Sequence, residues 1–182
     1  FLSALAARTP VPGAGAAAAI AGATAAALAE KALAVPRPPE DSPGGASPNH
    51  PLQANLEGIR IRLQGLAAAD SRAYNRYLQA RRSATTSPAG DAVDEALAEA
   101  TSIPNKTSAL VADLVSEIEG IAARCAVCAL AEVFAAAALA SAAMGVCDFI
   151  IRCNAKRIAD PTAAERARQG SLAYRVGCRQ RL

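Results

Sequence analysis

The chain has 182 residues, 49 of them alanine, with 52% hydrophobic types, 3% aromatics and no tryptophan. That much apolar surface excludes a disordered chain, and the shortage of aromatics argues against a β-sandwich or barrel. The net charge of +3, from 19 basic and 16 acidic residues, is too mild for a nucleic-acid binder, and no nucleic-acid partner is expected.

Alanine is the best helix former and lets helices approach closely, which predicts an all-α protein. The first predicted helix is short, Phe1 to Arg8, and is interrupted by Thr9-Pro10-Val11-Pro12-Gly13, because proline removes a donor and fixes φ. Helical sequence resumes at Gly13 and runs to about Ala34. Pro36 to Pro51 is a proline-rich loop carrying His50, the single histidine. A helix follows from about Leu52 to Arg82, with Leu52, Leu56, Ile59, Leu63 and Leu66 at spacings of three and four. Ser83 to Gly90 is a second loop. Asp91 to Thr101 is predicted helical and broken at Pro104. Thr107 to Gly120 is helical again, and one long helix is predicted from Ile121 to Ala159, stopped by Asp160-Pro161. Thr162 to about Val176 completes an up-and-down bundle of five or six Ala-rich helices, taken as a single domain over 1–182.

Two stretches, Gly13 to Val35 and Ala122 to Ile151, are apolar enough to suggest membrane spans. The first carries Glu30 and Lys31, the second Arg124, Glu132 and Asp148. Each mid-span charge costs about 2.5–3.5 kcal/mol on insertion scales, so buried bundle helices and no membrane are expected. The basic residues toward the C-terminus, Arg166, Arg168, Arg175, Arg179 and Arg181, read as a solvated helix face. The five cysteines, Cys125, Cys128, Cys147, Cys153 and Cys178, are odd in number and four lie in one apolar stretch. That is no secreted disulfide framework, and it fits a reducing cytoplasmic setting.

Several motifs, in order, resemble the cyclodeaminase/cyclohydrolase family, the helical domain of formiminotransferase-cyclodeaminase and its stand-alone relatives. The family's Thr-Pro-x-Pro-Gly-Gly-Gly-Ser turn is similar to Thr9-Pro10-Val11-Pro12-Gly13-Ala14-Gly15-Ala16. Its Ala-Asp-x-x-Ala-Tyr segment is similar to Ala69-Asp70-Ser71-Arg72-Ala73-Tyr74. Its Ala-(x)₃-Pro element resembles Ala100 to Pro104, and its Val-x-Ile-Asn-(x)₃-Ile-x-Asp end resembles Ile151 to Asp160. The chain departs from the family at Ala16, where the serine hydroxyl is gone. It departs again at Cys125 to Glu132, where the family's Gly-Asn-(x)₄-Ser-Asp would fall, and in lacking the family's Leu-Pro-Lys after the middle helix. The resemblance implies a cyclodeaminase-like bundle that opens or closes a C–N ring by acid/base catalysis. It implies a formimino- or methenyl-tetrahydrofolate type of substrate, no separate cofactor, and a homodimer with pockets near the subunit interface.

Glu132 stands in the most apolar run of the chain, so a buried carboxyl with a raised pKa is expected there, suited to general acid/base work. It is the first catalytic candidate, with Asp70 the second; the bland alternative for Glu132 is an ion pair with Arg124, Arg152 or a tail arginine. Asp70 and Tyr74 share a helix face, and Tyr77 follows three residues on, so the tyrosines could stack on a planar ligand. Pro12, Gly13 and Gly15 are substrate-binding candidates, since free N–H groups at a helix start hold anions. Asn154 joins them through the family's end motif. Asp148 is read as an interface or capping residue. Cys125, Cys128 and Glu132 would share a helix face, but such ligands splay poorly around zinc and no metal is expected. Two rival readings stay open: the same scaffold repurposed as a cyclase or hydrolase on a non-folate substrate of specialised metabolism, and a non-catalytic dimeric binding protein.

Overall fold

The computed structural model describes residues 1–36, 50–84 and 90–169. Every regular element among them is helical: α1 (Leu2–Leu5), α2 (Ala14–Ala34), α3 (His50–Ala84), α4 (Gly90–Ala122), α5 (Leu130–Ala155) and α6 (161–169). The bundle is the expected all-α, up-and-down one. Helices α2, α3, α4 and α5 each pack on the next, α5 closes back on α2, and α2 also reaches α4 across the diagonal. That diagonal contact follows from composition. Eleven residues of α2 are buried, and all but Leu33 are alanine or glycine, so backbones approach closely. Gly22 marks the tightest point, where an added Cβ would lie 3.1 Å from Val111 Cγ2 and 3.3 Å from Leu63 Cδ1.

The larger core side chains come from the partners of α2. Leu56, Ile59 and Leu63 on α3 meet Val111, Leu114, Val115, Ile118 and Ile121 on α4 in one cluster. Arg60 Nε ties α3 to Glu30 on α2 at 2.7 Å. Helix α2 stops at Val35, whose extended backbone is what the following Pro36 demands.

Three boundaries differ from the expectations. Helix α1 covers only Leu2–Leu5. Pro104 does not break a helix but lies inside α4, with its ring fully buried. An interior proline costs about 3 kcal/mol, and the apolar stripe on both sides of it, from Leu97 and Ile103 to Val111 and Leu114, keeps the two halves in one rod. Conversely, the long helix expected from Ile121 to Ala159 is interrupted. The chain turns after Ala122, forms a 3-10 turn at Val127–Ala129 and starts α5 at Leu130. Gly120, where the sequence suggests a helix end, lies inside the last turn of α4, and the break follows it. Arg124 makes it locally, donating Nε to Gly120 O at 2.9 Å, while Cys125, Ala126 and Ala129 enter the core. The physical reason is length. At about 1.5 Å per residue the 33 residues of α4 already span the bundle, so α5 must reverse to bury its own face. Asp160 caps α6 through Oδ1 and Thr162 N at 2.8 Å rather than ending α5. The expectations for the loops, for the His50 side chain and for Tyr174, Arg175, Cys178, Arg179 and Arg181 fall largely or wholly outside the described residues.

Candidate functional site

A cleft of about 250 Å³ opens at one end of the bundle, where the turn before α2 meets α3, α4 and α5. Its wall is formed by Pro10, Val11, Gly13, Ala14 and Gly15, then Asp70 and Tyr74 from α3, Ala100 from α4, and Ile150 and Asn154 from α5. Four separate helices thus converge on it. The turn sits there because Val11–Pro12, a cis peptide bond, precedes Gly13, the N-cap of α2.

Asp70 is the one carboxyl among the described residues of this wall. Burial pushes its carboxyl up from the usual carboxylate range, and a hydrogen bond accepted from the Ala16 N–H opposes this only in part. The contact explains a glycine. Gly13 offers no side-chain cap to α2, so the carboxylate of α3 does the capping from across the bundle. It lies so close over Gly15 that a Cβ there would overlap its oxygens. One anion at this helix start is therefore the protein's own Asp70, on the Ala16 N–H. Both glycines still line the cleft, and the Asp70 carboxyl sits between helix and solvent.

Tyr74 stands beside it, 38% exposed, whereas Tyr77 is 4% exposed and lies outside the cleft wall. The two rings are 6.1 Å apart and tilted by 40°, and Arg81 covers Tyr77 at 5.9 Å. Tyr77 is thus a packing residue that backs Tyr74, not a second face for a ligand. Pro12 likewise does not line the cleft; its neighbours Pro10 and Val11 do. Asn154 is in the wall, as expected.

Glu132 is far from what its apolar surroundings in sequence suggest. It lies in the first turn of α5 and pairs with Lys31 Nζ at 2.8 Å. The Lys31 hydrogen bond, then its own backbone N–H and the lysine charge, hold its carboxyl below the usual range. The expected buried, proton-holding acid is therefore absent at this position, because the helix break puts it at a solvated end rather than mid-helix. Its partner is Lys31, not Arg124, Arg152 or the tail. Asp148 is 4% exposed and meets Arg152 Nη2 at 3.2 Å, an inward ion pair rather than a cap. The same break separates Cys125, buried, from Cys128, exposed, so the shared helix face with Glu132 does not form. Among the described residues no group of three His, Cys, Asp or Glu converges. Behind the cleft, burial pushes the Cys147 thiol up to about 12, with Ser108 placed to stabilise a thiolate and Asp70 opposing one. Ser108 Oγ, fully buried, has Cys147 as its candidate partner among the described residues.

Pro10, Val11, Ala14, Ala100 and Ile150 were not singled out from sequence. Pro10, Val11 and Ala14 carried a signal through the Thr9–Ala16 turn and Ala100 through its place four residues before Pro104; Ile150 lies just before the Ile151–Asp160 motif.

An all-helical bundle with an end-on cleft, lined by a Thr-Pro-x-Pro-Gly turn and one half-buried carboxyl, is a cyclodeaminase-type scaffold. The family model for formiminotransferase-cyclodeaminase matches residues 1–171, and the chain belongs to that family. The crystal structure of formiminotetrahydrofolate cyclodeaminase from Thermotoga maritima is similar over 100% of this chain and 90% of that one, with a TM-score of 0.83 and 28% identity. No curated protein matches this chain.

Proposed function

We propose that the cleft is the active site of a cyclodeaminase/cyclohydrolase-type enzyme acting on a formimino- or methenyl-tetrahydrofolate type of substrate, with Asp70 as its acid/base. The observation that carries this is the Asp70 carboxyl itself, half-buried in the cleft, raised in pKa by burial and steadied by the Ala16 N–H. The relative's printed name, formiminotetrahydrofolate cyclodeaminase, supplies the substrate class. At about 250 Å³ the cleft is below the usual span of ligand pockets, so it takes the reacting ring and one-carbon unit rather than a whole folate.

In the forward reaction the formimino group enters as its amidinium, the second nitrogen of the ring to be closed attacks its carbon, a C–N bond forms and the C=N electron pair moves onto the imino nitrogen, leaving it an –NH₂. The proton of the attacking nitrogen passes to the Asp70 carboxylate. Asp70 then returns a proton to the former imino nitrogen, the other C–N bond breaks, and ammonia leaves. A raised pKa lets one carboxyl do both transfers near neutrality. Tyr74 and Asn154 hold the ring. A second reading, the scaffold repurposed for a non-folate substrate, is favoured by Ala16 in place of the family's serine and by the loss of the Gly-Asn pair before Glu132.

Formation of methenyl-tetrahydrofolate from 5-formimino-tetrahydrofolate, followed by absorbance, tests the proposal. Asp70→Asn should lower kcat/KM by about 10²–10⁴-fold, whereas Glu132→Gln should stay within about threefold of wild type. Equal activity of Asp70→Asn and wild type removes Asp70 from the chemistry. Absence of turnover by the wild type, with both the formimino and the methenyl compound, moves the case to the second reading.

The same proposal includes a homodimer in the cytoplasm. The support for the dimer is the outer face of α5, where Phe134 is 77% and Phe149 62% exposed. Helices α2 and the Val127–Ala155 segment are long and apolar enough to cross a membrane. Helix α2 packs against α3, α4 and α5 inside the bundle, and the α5 face suits a second copy.

A further inference from the structure

Helix α4 carries a proline in its interior, and the residue four positions earlier lines the cleft. Proline has no N–H to give, so the hydrogen bond that the Ala100 carbonyl would accept from residue 104 does not exist. The carbonyls around it take extra donors. Thr101 Oγ1 bonds Leu97 O at 2.7 Å, Ser102 Oγ bonds Glu99 O at 2.8 Å, Asn105 Nδ2 bonds Thr101 O at 3.1 Å, and Thr107 Oγ1 bonds Ile103 O at 3.1 Å. Ala100 O takes none of these four. A helical carbonyl left short of a donor in a mostly buried wall is an acceptor waiting for one.

We propose that the Ala100 carbonyl receives an N–H of the ligand, and that Pro104 is the positioning residue that keeps it available. This rests on the reading of the cleft as the site of the one-carbon unit and deepens it. Asp70 from α3 and Ala100 from α4 both line the cleft, so on this proposal a carboxylate and a main-chain carbonyl are the two acceptors offered to a ligand. A planar amidine or formimino group, with N–H on more than one edge, is the ligand class that satisfies both. The same group stripped of N–H gains nothing from Ala100 O.

Pro104→Ala supplies the missing N–H and closes the helical turn. The variant should melt higher than wild type, since an interior proline is replaced by the best helix former, so a loss of binding would not reflect misfolding. The readout is NMR titration of the Gly13, Gly15 and Asn154 amide signals with two probes of equal charge: acetamidinium, and N,N,N′,N′-tetramethylformamidinium, which has no N–H. Pro104→Ala should weaken acetamidinium on the order of tenfold, as expected for a bond from a charged donor, and leave the tetramethyl probe unchanged. KM for 5-formimino-tetrahydrofolate should rise by a similar factor, with kcat changed less. Unchanged acetamidinium affinity, equal loss for both probes, or no acetamidinium binding by wild type overturns the proposal. Failure of the folate assay alone, with the amidinium difference intact, overturns the assigned substrate and leaves the acceptor in place.

Discussion

Asp70 serves two neighbours at once, the N-terminus of α2 and whatever enters the cleft, and the first constrains the second. Gly15 is the residue that permits it, because a Cβ there would overlap the carboxylate. In Gly15→Ala two effects compete. Helix propensity gains up to about 1 kcal/mol, while overpacking costs about 1–3 kcal/mol and Asp70 loses its Ala16 donor. The overlap wins, and the variant should lose about 1–2 kcal/mol in denaturant unfolding and at least about tenfold in kcat/KM. Asp70 also sets a pH signature. Its folded pKa is raised, so the native state holds this proton more tightly than the unfolded chain. The stability it contributes is complete below the unfolded value of about 3.9 and falls as pH rises through the raised native value. Asp70→Asn removes that loss. Its Tm relative to wild type should therefore be higher at pH 7 than at about pH 3.5, in paired thermal melts. A constant difference across this window would mean that the carboxyl does not titrate with folding. Stability gained together with activity lost is the pattern of a group kept for chemistry.

At the scale of the helices, alanine decides how near the rods come, and glycine decides where they are nearest. Gly22 of α2 faces Val111 and Leu63 at the centre of the bundle. A long side chain there has nowhere to go, so Gly22→Leu should cost about 3 kcal/mol or more and lower Tm by several degrees, read by circular dichroism. An unchanged Tm would show that α2 is not wedged between α3 and α4. The helices themselves were plain in the sequence, since α2 and α3 begin and end within about two residues of the predicted limits. Their ends carry prolines and polar residues that act locally. Two features were illegible because they depend on tertiary length. Pro104 looks like a stop, but burial on both sides outweighs its cost. Gly120 signals a helix end near Ala122, but not the seven-residue turn and 3-10 segment that follow before α5 starts at Leu130. Glu132 was misjudged through that second feature, since an acid inside a helix and an acid at its solvated first turn look alike in an apolar run. Asp70, Gly13, Gly15, Tyr74 and Asn154 were legible from motif spacing. Ala100 was marked only by its place four residues before Pro104, and an alanine advertises nothing of its carbonyl.

For the whole molecule the question is what covers α5. Its outward face runs through Leu130, Phe134, Ala138, Ser141, Ala142, Gly145 and Phe149, all exposed, with large residues outside and small ones in the middle. Phe134 and Phe149 are fifteen residues apart, about 22 Å along the helix, and equally distant from the centre at Ser141 and Ala142. Such a face is complementary to itself when turned end for end. Two antiparallel copies would set each Phe134 against the partner's Phe149, with Gly145, around which an added Cβ would meet nothing, opposite Ala138. This is the isologous contact that two-fold symmetry requires, and its one charged residue, Arg152 at the end of the face, is already paired with Asp148. A lipid surface would also take apolar side chains, but it sets no condition on the spacing of the two aromatics. Phe134→Arg places two cations in the interface, each facing an apolar ring, and the same follows for Phe149→Arg. Sedimentation at micromolar concentration should show wild type as a dimer and either variant as a monomer with unchanged helicity by circular dichroism. Monomeric wild type that floats with phosphatidylglycerol-containing vesicles would assign the face to a membrane instead. Monomeric wild type that ignores vesicles would leave α5 without either cover and end the case for the dimer.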